Sequence, residues 1–251
     1  MPEPTGKEVG PPEGRTEELR GNLARTRARI EAACRAAARD PHDVTLVVVT
    51  KTYPVDDIRR LVQLGVSDVG ENRDQEAKHK AEQAADLGLT WHFVGQLQTN
   101  KAGSVASYAD MVHSVDRLRL VEALERGAAR AAGVRSGVPL DCLVEVNLDP
   151  PQSREPGRGG ADPEAARAIA DAIAASAHLR LRGVMGVAPV GGDATAAFDV
   201  LAGVLESLRR EHPALDVMSA GMSDDLEQAI AAGATHLRVG SAILGTRPPL
   251  G

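Results

Sequence analysis

Eight apolar, strand-like runs alternate with helical patterns along most of the chain, and this alternation constrains the fold more than any other feature. The runs cover residues 44–50, 66–69, 91–94, 111–115, 140–147, 181–187, 215–219 and 235–239. Helical patterns lie between them, at about 55–64, 72–86, 99–107, 116–132, 162–177, 194–211 and 223–232. Strands that alternate with helices are typical of a parallel sheet buried on both faces. In a chain of 251 residues, eight such units predict an α/β fold, a single (β/α)8 TIM barrel.

A doubly wound open sheet is the alternative to the barrel. That fold would favour a glycine-rich phosphate loop after the first strand, where this chain instead has Lys51-Thr52-Tyr53-Pro54. The barrel is therefore the predicted fold. An extra helix is predicted before the first strand, over residues 15–39, because apolar residues recur there at steps of three and four. We expect one domain over residues 15–251 and a disordered tail over residues 1–14, which are rich in Pro, Gly and Glu.

Composition limits the classes of partner. The chain has 29 basic and 35 acidic residues, a net charge of −6, which gives no electrostatic case for binding nucleic acid or an anionic membrane. No apolar run approaches the roughly 20 residues of a membrane span. Cys34 and Cys142 have neither metal-site nor CxxC spacing, so we expect free thiols, no metal site and a cytoplasmic location.

Polar residues cluster at the carboxyl ends of the predicted strands, where barrels carry their chemistry. Lys51 closes the first strand, and the loops after strands seven and eight contain small residues around Ser219, Gly240 and Ser241. Such loops, at helix N-termini, are suited to bind phosphate. Strand eight adjoins strand one in a closed barrel, so the amine and the phosphate site are predicted to be neighbours. This juxtaposition suggests a Schiff base to a phosphorylated aldehyde. Pyridoxal 5′-phosphate (PLP) fits, and so does the substrate of a Schiff-base phosphosugar aldolase.

Four longer motifs carry a resemblance to a known family. They are "VTKTYP" around Lys51, "GEN" at 70–72, "WHFVGQLQTNK" at 91–101 and "MSAGMSDDLEQAIAAGATHLRVGSAILG" at 218–245. Together they resemble the pyridoxal phosphate homeostasis proteins, the YggS/PROSC family, over about residues 20 to 247. The resemblance implies a single-domain barrel like the N-terminal domain of alanine racemase, with PLP bound to a lysine.

The resemblance also implies roles for particular residues. Lys51 corresponds to the lysine that carries PLP, and Arg238 to the arginine that faces the pyridine nitrogen. The implied phosphate contacts are Ser219, Gly240 and Ser241. Asn72 of the GEN motif is expected near the cofactor, and Met222 and Ser223 lie in the loop that holds Ser219.

Three departures from the family pattern concern the surroundings of the site. Arg73 stands where an aromatic residue is common, Gln96 where Pro or His is usual, and the loop over 149–163 is Arg- and Gly-rich at 152–160 instead of short and Lys-Ser-Gly-like. None of the three touches the expected lysine or phosphate site.

The resemblance implies a carrier or regulator of PLP without established turnover, and we expect no catalytic residues. Racemisation on this barrel uses a second base, a tyrosine from a second domain, for which this chain has no room. Its tyrosines are Tyr53 and Tyr108, and strand alternation does not place Tyr53 across the cofactor. Arg238 stays protonated and weakens the ring as an electron sink. A PLP-dependent racemase-like enzyme is the alternative. The expected partners are PLP and, for a carrier, PLP-dependent apo-enzymes, and the expected state is a monomer.

Simpler structural roles are open for several of these residues. Asn72 is equally suited to cap the helix that follows it, and Ser223 to cap the helix after strand seven. His92 and His113 lie within strands, so they are predicted to be neutral core histidines. Asp224 and Asp225 are predicted in the first turn of a helix, where their charge suits the helix dipole.

Overall fold

The structure, a computed structural model, describes residues 12–150 and 159–245 and contains within them a closed barrel of eight parallel strands. The strands are β1 (Thr45–Val49), β2 (Asp68–Glu71), β3 (Thr90–Phe93), β4 (Met111–Val115), β5 (Leu140–Asn147), β6 (Leu179–Val187), β7 (Val217–Ser219) and β8 (His236–Val239). They pair in chain order, and β8 pairs with β1. The predicted TIM barrel is therefore confirmed, and each predicted run overlaps an observed strand.

Helices surround the barrel and connect its strands. They are α1 (Pro12–Ala36), α2 (Val55–Gln63), α3 (Asp74–Gln83), α4 (Ala102–Tyr108), α5 (Leu118–Ala131), α6 (Ala166–Ala174), α7 (Ala194–Arg209), α8 (Leu226–Ala231) and α9 (Ser241–Leu244). Helices α4 and α6 begin later than predicted because 3-10 turns, Thr99–Lys101 and Pro163–Ala165, precede them. No helix in the two described ranges is both long and apolar enough to cross a bilayer.

The extra N-terminal helix α1 begins at Pro12, so residues 12–14 are helical and do not belong to the predicted disordered tail. The rest of that tail, residues 1–11, lies outside the described residues.

Helix α1 also bonds to α9, the last helix of the described residues. Its buried face carries Leu19 and Leu23 at helical spacing. The Arg15 guanidinium donates to the Leu244 carbonyl at 3.0 Å, and the Asn22 amide donates to the Ile243 carbonyl at 2.8 Å. These bonds satisfy carbonyls at the end of α9, which would otherwise lack partners. Helix α1 thus holds α9 against the barrel.

The barrel interior has an apolar part and a polar part. Met111, Leu143, Met185 and Val217 form a small apolar cluster inside it. The buried polar side chains include four that are hydrogen-bonded to one another in sequence, His92, His113, Ser219 and Arg238. Because buried polar groups need hydrogen-bond partners, the bonds among these four side chains organise the interior.

A register shift in the barrel wall brings β6 very close to β7. Cys142 faces Leu181 while Leu143 faces Gly183, so Arg182 is an extra residue on β6. A Cβ atom added at Gly183 would lie 1.8 Å from the carbonyl oxygen of Val217. Only glycine allows the two strands to pair at this point.

We expect Gly183→Ala to destabilise the protein by about 3 kcal/mol or more, because the added methyl group forces β6 and β7 apart. Gly203→Ala is the matched control. Gly203 lies in α7 with no atom within 4 Å of an added Cβ, so alanine there should stabilise the helix by about 0.8 kcal/mol. Urea unfolding of the two variants measures both changes. Equal free energies of unfolding for the two would contradict the proposed clash.

Candidate functional site

A cleft of about 360 Å³ opens at the carboxyl ends of β1, β2, β7 and β8. Its volume is in the range of small-molecule sites. It brings together seven of the eight residues predicted for the site: Lys51, Asn72, Met222, Ser223, Arg238, Gly240 and Ser241. The eighth, Ser219, is not part of the lining.

Lys51 lies in a tight turn directly after β1. The Tyr53 N–H donates to the Thr50 carbonyl at 3.1 Å, which closes the turn around the lysine. Thr52 adopts a left-handed conformation with φ of 70°. For a β-branched residue this conformation costs roughly 1–3 kcal/mol and persists only where the surroundings enforce it.

The surroundings that enforce this turn are a buried charge cluster behind it, formed by Glu71, Glu76 and Lys80. The Lys80 amine donates to the Thr50 carbonyl at 2.8 Å, to Glu71 Oε1 at 2.8 Å and to Glu76 Oε1 at 2.6 Å. Glu76 Oε1 also accepts the Thr52 N–H at 2.5 Å. The backbone on both sides of Lys51 is therefore tied to the same three side chains.

Glu71 is almost completely buried, and burial raises the pKa of its carboxyl group, although the nearby Lys80 ammonium opposes that shift. Glu71 belongs to the GEN motif noted in the sequence, whereas Lys80 and Glu76 were not predicted from the sequence. The available signal was a Glu–Lys pair four residues apart on one helix, which is more often an exposed pair.

Arg238 forms part of the cleft and is anchored from beneath it. Its Nη1 donates to Ser219 Oγ at 2.6 Å and its Nη2 donates to the Gly186 carbonyl at 2.9 Å. Burial lowers the pKa of Arg238 to about 10, against the opposing charges of Glu145 and Asp225. The guanidinium therefore remains a cation at neutral pH.

Ser219 does not line the cleft, and its contact with a phosphate stays a prediction. Its side chain is completely buried, and its hydroxyl bonds to Arg238 and, at 2.9 Å, to His113 Nδ1. Because β7 ends at Ser219, the chain reaches the cleft only with Met222 and Ser223. Ser219 supports Arg238 from behind.

Small residues at the start of α9, with Ser223 from the loop after β7, form a polar cradle in the same cleft as Lys51. The hydroxyls of Ser223 and Ser241 lie 3.1 Å apart, and Ser223 Oγ accepts the Ala242 N–H at 3.3 Å. A Cβ atom at Gly240 would lie 3.2 Å from the Val49 carbonyl, so glycine lets α9 begin directly beside the end of β1.

The capping role considered for Ser223 is not observed. The N-cap of α8 is Asp225, whose carboxylate accepts the Met222 N–H at 2.6 Å. Asp224 and Asp225 therefore precede α8 and do not lie in its first turn. Ser223 bonds to the start of α9 instead.

Asn72 is also not a cap, because Arg73 occupies the N-cap position of α3. Its Oδ1 atom is buried and has no hydrogen-bond partner within the described part of the chain. Such an atom is costly unless a ligand or water satisfies it. Gly95 packs on the Asn72 backbone, and a Cβ there would lie 2.3 Å from the Asn72 carbonyl. The amide oxygen of Asn72 is thus held at the cleft and available to a ligand.

The two tyrosines occupy different environments. Tyr53 lines the cleft, and its hydroxyl donates to the Gly245 carbonyl at 2.8 Å. Tyr108 is not in the lining, and burial raises the pKa of its hydroxyl. Among the departures noted in the sequence, Arg73 and Gln96 are exposed, and residues 151–158 of the loop after β5 lie outside the described residues.

Comparison with known proteins gives the same family from sequence and from structure. A family model for the N-terminal domain of alanine racemase matches residues 21–248. The pyridoxal phosphate homeostasis protein of Pseudomonas aeruginosa is 41% identical over 226 residues, 90% of this chain and 94% of that protein. Its counterpart in Corynebacterium glutamicum is 42% identical over 223 residues, 88% of this chain and 98% of that protein.

Among solved structures, PipY of Synechococcus elongatus with PLP bound is similar at a TM-score of 0.74 and 32% identity, covering 90% of this chain and all of that one (100%). The alanine racemase of Corynebacterium glutamicum has a TM-score of 0.64 at 14% identity, covering 94% of this chain and 62% of that chain. The second likeness shows a common fold.

We expect Lys80→Met to destabilise the protein by about 3 kcal/mol, because it leaves the buried Glu71 carboxylate without its cation. Lys78→Met on the same helix is the control, since Lys78 is exposed and its loss should change stability by less than about 0.5 kcal/mol. Adding Glu71→Gln to Lys80→Met should recover part of the loss. Urea unfolding at pH 7 measures all three, and equal destabilisation by the two methionine variants would contradict the cluster's role.

Proposed function

Since the chain belongs to the pyridoxal phosphate homeostasis proteins, within the alanine racemase N-terminal domain family, we propose that it binds PLP in the cleft, with Lys51 as the covalent attachment point, and acts in intracellular PLP homeostasis. The observation that carries the proposal is the meeting of a lysine amine, an arginine and a two-serine cradle in one cleft. An amine, a cation and an anion cradle match the aldehyde, the ring nitrogen and the phosphate of PLP.

The residues present fit this cofactor. When bound, PLP supplies an aldehyde that condenses with a primary amine and a ring that can withdraw electrons. Lys51 provides the amine. Gly240, Ser241 and Ser223 hold the phosphate with hydroxyls and with the N–H groups that begin α9.

Three further residues complete the proposed site. Arg238 donates to the ring nitrogen. Asn72 satisfies its buried Oδ1 atom by a direct or water-mediated contact with the cofactor. Met222, 38% exposed, lies at the rim.

The site favours holding the cofactor over turning substrates over. Arg238 remains protonated, with a pKa of about 10, so it does not give up a proton to the ring nitrogen, and the ring stays a weak electron sink. The Tyr53 proton is already engaged by Gly245. Asp224 also lines the cleft, but it is exposed, so water competes for the hydrogen bonds of its carboxylate. Among the described residues that line the cleft, Lys51 is then the one well-placed base, and racemisation needs a second on the opposite face.

A carrier of this kind would pass PLP to PLP-dependent apo-enzymes, and the proposal places it in the cytoplasm as a monomer. The buried thiols of Cys34 and Cys142 suit a reducing compartment. The exposed rim suits a site from which the cofactor is released.

Lys51→Ala should abolish covalent attachment of PLP. The wild-type protein, loaded with PLP and reduced with borohydride, should carry the adduct on the peptide that contains Lys51, as read by mass spectrometry. Lys78→Ala removes an exposed lysine and should label like the wild type. A wild type that takes up no PLP, or an adduct on another lysine, would contradict the proposal.

The PLP-loaded protein should not exchange the Cα hydrogen of amino acids faster than free PLP does, because the site supplies no second base and a weak electron sink. Proton NMR of alanine and several other amino acids in D2O measures the exchange. Exchange well above the free cofactor that disappears in Tyr53→Phe would support the racemase-like alternative, with Tyr53 as the base.

A further inference from the structure

A continuous chain of hydrogen-bonded side chains crosses the barrel interior from the cleft to the opposite end of the barrel. Ser219 Oγ, which accepts from Arg238, bonds to His113 Nδ1 at 2.9 Å. His113 Nε2 lies 2.9 Å from His92 Nδ1, and His92 Nε2 lies 3.0 Å from Asp68 Oδ1. We call these five side chains the interior relay. They come from five strands, β2, β3, β4, β7 and β8, so the relay depends on the closed barrel.

The direction of each bond in the relay follows from the chemistry of its ends. A guanidinium only donates, so Ser219 accepts from Arg238. Among the described residues whose side chains bond to the Ser219 hydroxyl, only His113 can accept its proton. The Ser219 hydroxyl therefore donates to His113 Nδ1. That nitrogen must carry a lone pair.

The remaining bonds then have one consistent arrangement. Burial, with smaller contributions from His92 and Arg238, lowers the pKa of His113 well below its ordinary value, so the ring is neutral and carries its proton on Nε2. This proton is donated to His92 Nδ1. His92 in turn carries a proton on Nε2 and donates it to Asp68 Oδ1.

Asp68 ends the relay as an anion. Burial alone would raise the pKa of its carboxyl group, but the hydrogen bonds from His92 and Ser67 outweigh burial and lower it. Asp68 is the first residue of β2, and its side chain is 19% exposed. The relay thus runs from a carboxylate at the amino-terminal end of the barrel to a cation in the cleft.

Reversing the relay would leave a polar group without a partner. If His113 Nδ1 carried the proton, Ser219 Oγ would accept hydrogen bonds from both Arg238 and His113. The Ser219 proton would then have no acceptor among the described residues. A buried donor without an acceptor is costly. The observed contacts therefore select one polarity.

We propose that Asp68, His92 and His113 are positioning residues, which act through Ser219 to fix the orientation of the Arg238 guanidinium in the cleft. The relay directs the Ser219 lone pair at Arg238 by engaging the Ser219 proton on the other side. The inference rests on the proposed function, which it deepens by naming residues that position Arg238. Of its two tests, only the second requires PLP to bind in the cleft.

The first test uses the ligand-free protein. Nitrogen-15 NMR of histidine-labelled protein should show His113 and His92 with the proton on Nε2 and a lone pair on Nδ1, assigned with Ser219→Ala. A proton on Nδ1 of either ring would overturn the polarity, whether or not the protein binds PLP.

The second test measures the dissociation constant and the absorption spectrum of bound PLP in matched variants. Ser219→Ala should weaken binding about tenfold and shift the absorption maximum, because Arg238 loses one of its two anchors. Ser114→Ala is the control: Ser114 is equally buried on β4, and its hydroxyl has no partner among the described residues. It should bind like the wild type.

The far end of the relay is tested separately. Asp68→Ala removes the last acceptor and should change affinity and spectrum in the same direction as Ser219→Ala. Asp68→Asn keeps an oxygen that accepts from His92 and should restore both to near wild-type values. The proposal fails if folded Ser219→Ala and Asp68→Ala bind PLP within about twofold of Ser114→Ala with an unchanged spectrum. Absence of PLP binding by the wild type would instead refute the proposed function.

Discussion

The pairing of β1 with β8 is the interaction on which the rest of the structure depends. It aligns Val47 with Arg238 and Val48 with Val239, so two strands nearly the whole chain apart end side by side. Gly240 then lies against the Val49 carbonyl. A Cβ atom at Gly240 would be 3.2 Å from that oxygen, which is a tight contact. This contact brings the start of α9 to Lys51. Helix α1 completes the arrangement, because Arg15 and Asn22 hold the last carbonyls of α9. Without closure, the amine and the serine cradle would belong to opposite edges of an open sheet.

Lys51 follows β1 in a turn whose conformation is unfavourable by itself and is held by buried charges. Thr52 is strained, and the cluster of Glu71, Glu76 and Lys80 buries charge directly behind the turn. Buried ion pairs are weak sources of net stability but strong determinants of geometry once formed. Lys80 bonds to the carbonyl before Lys51, and Glu76 to the N–H after it. The turn therefore has little freedom, which suits a residue that must meet one atom of a ligand.

The sequence was most informative where the structure is local and periodic, and least where distant strands meet. Continuous apolar runs predicted all eight strands, since strands of a parallel barrel are buried on both faces. That Lys51 lies near Gly240 and Ser241 followed from strand order, because residues at strand ends must share one end of the barrel. The roles of Asn72, Met222, Ser223 and Arg238 came from the family resemblance. Ser219 was predicted to contact a phosphate because it belongs to the loop motif after strand seven, and in the structure its buried hydroxyl bonds to Arg238 and His113. His92 and His113 were recognised as core histidines, but no spacing links them to each other or to Asp68. These contacts depend on how β2, β3 and β4 pair in three dimensions, which spacing along the chain does not specify.

The interior relay and the charge cluster together suggest why a barrel of this kind would bind a cofactor firmly without using it. In the proposed site, the serine cradle contacts the phosphate, which does not change during a reaction, and Arg238 keeps the ring a weak electron sink. Contacts that are equal in the ground state and the transition state raise affinity and leave the chemical step unaided. The interior relay supports Arg238, and the charge cluster supports the turn of Lys51. The rim of the cleft carries exposed Ser241 and Met222. Firm support beneath the cleft and an open rim above it suit the proposed retention and transfer of the cofactor.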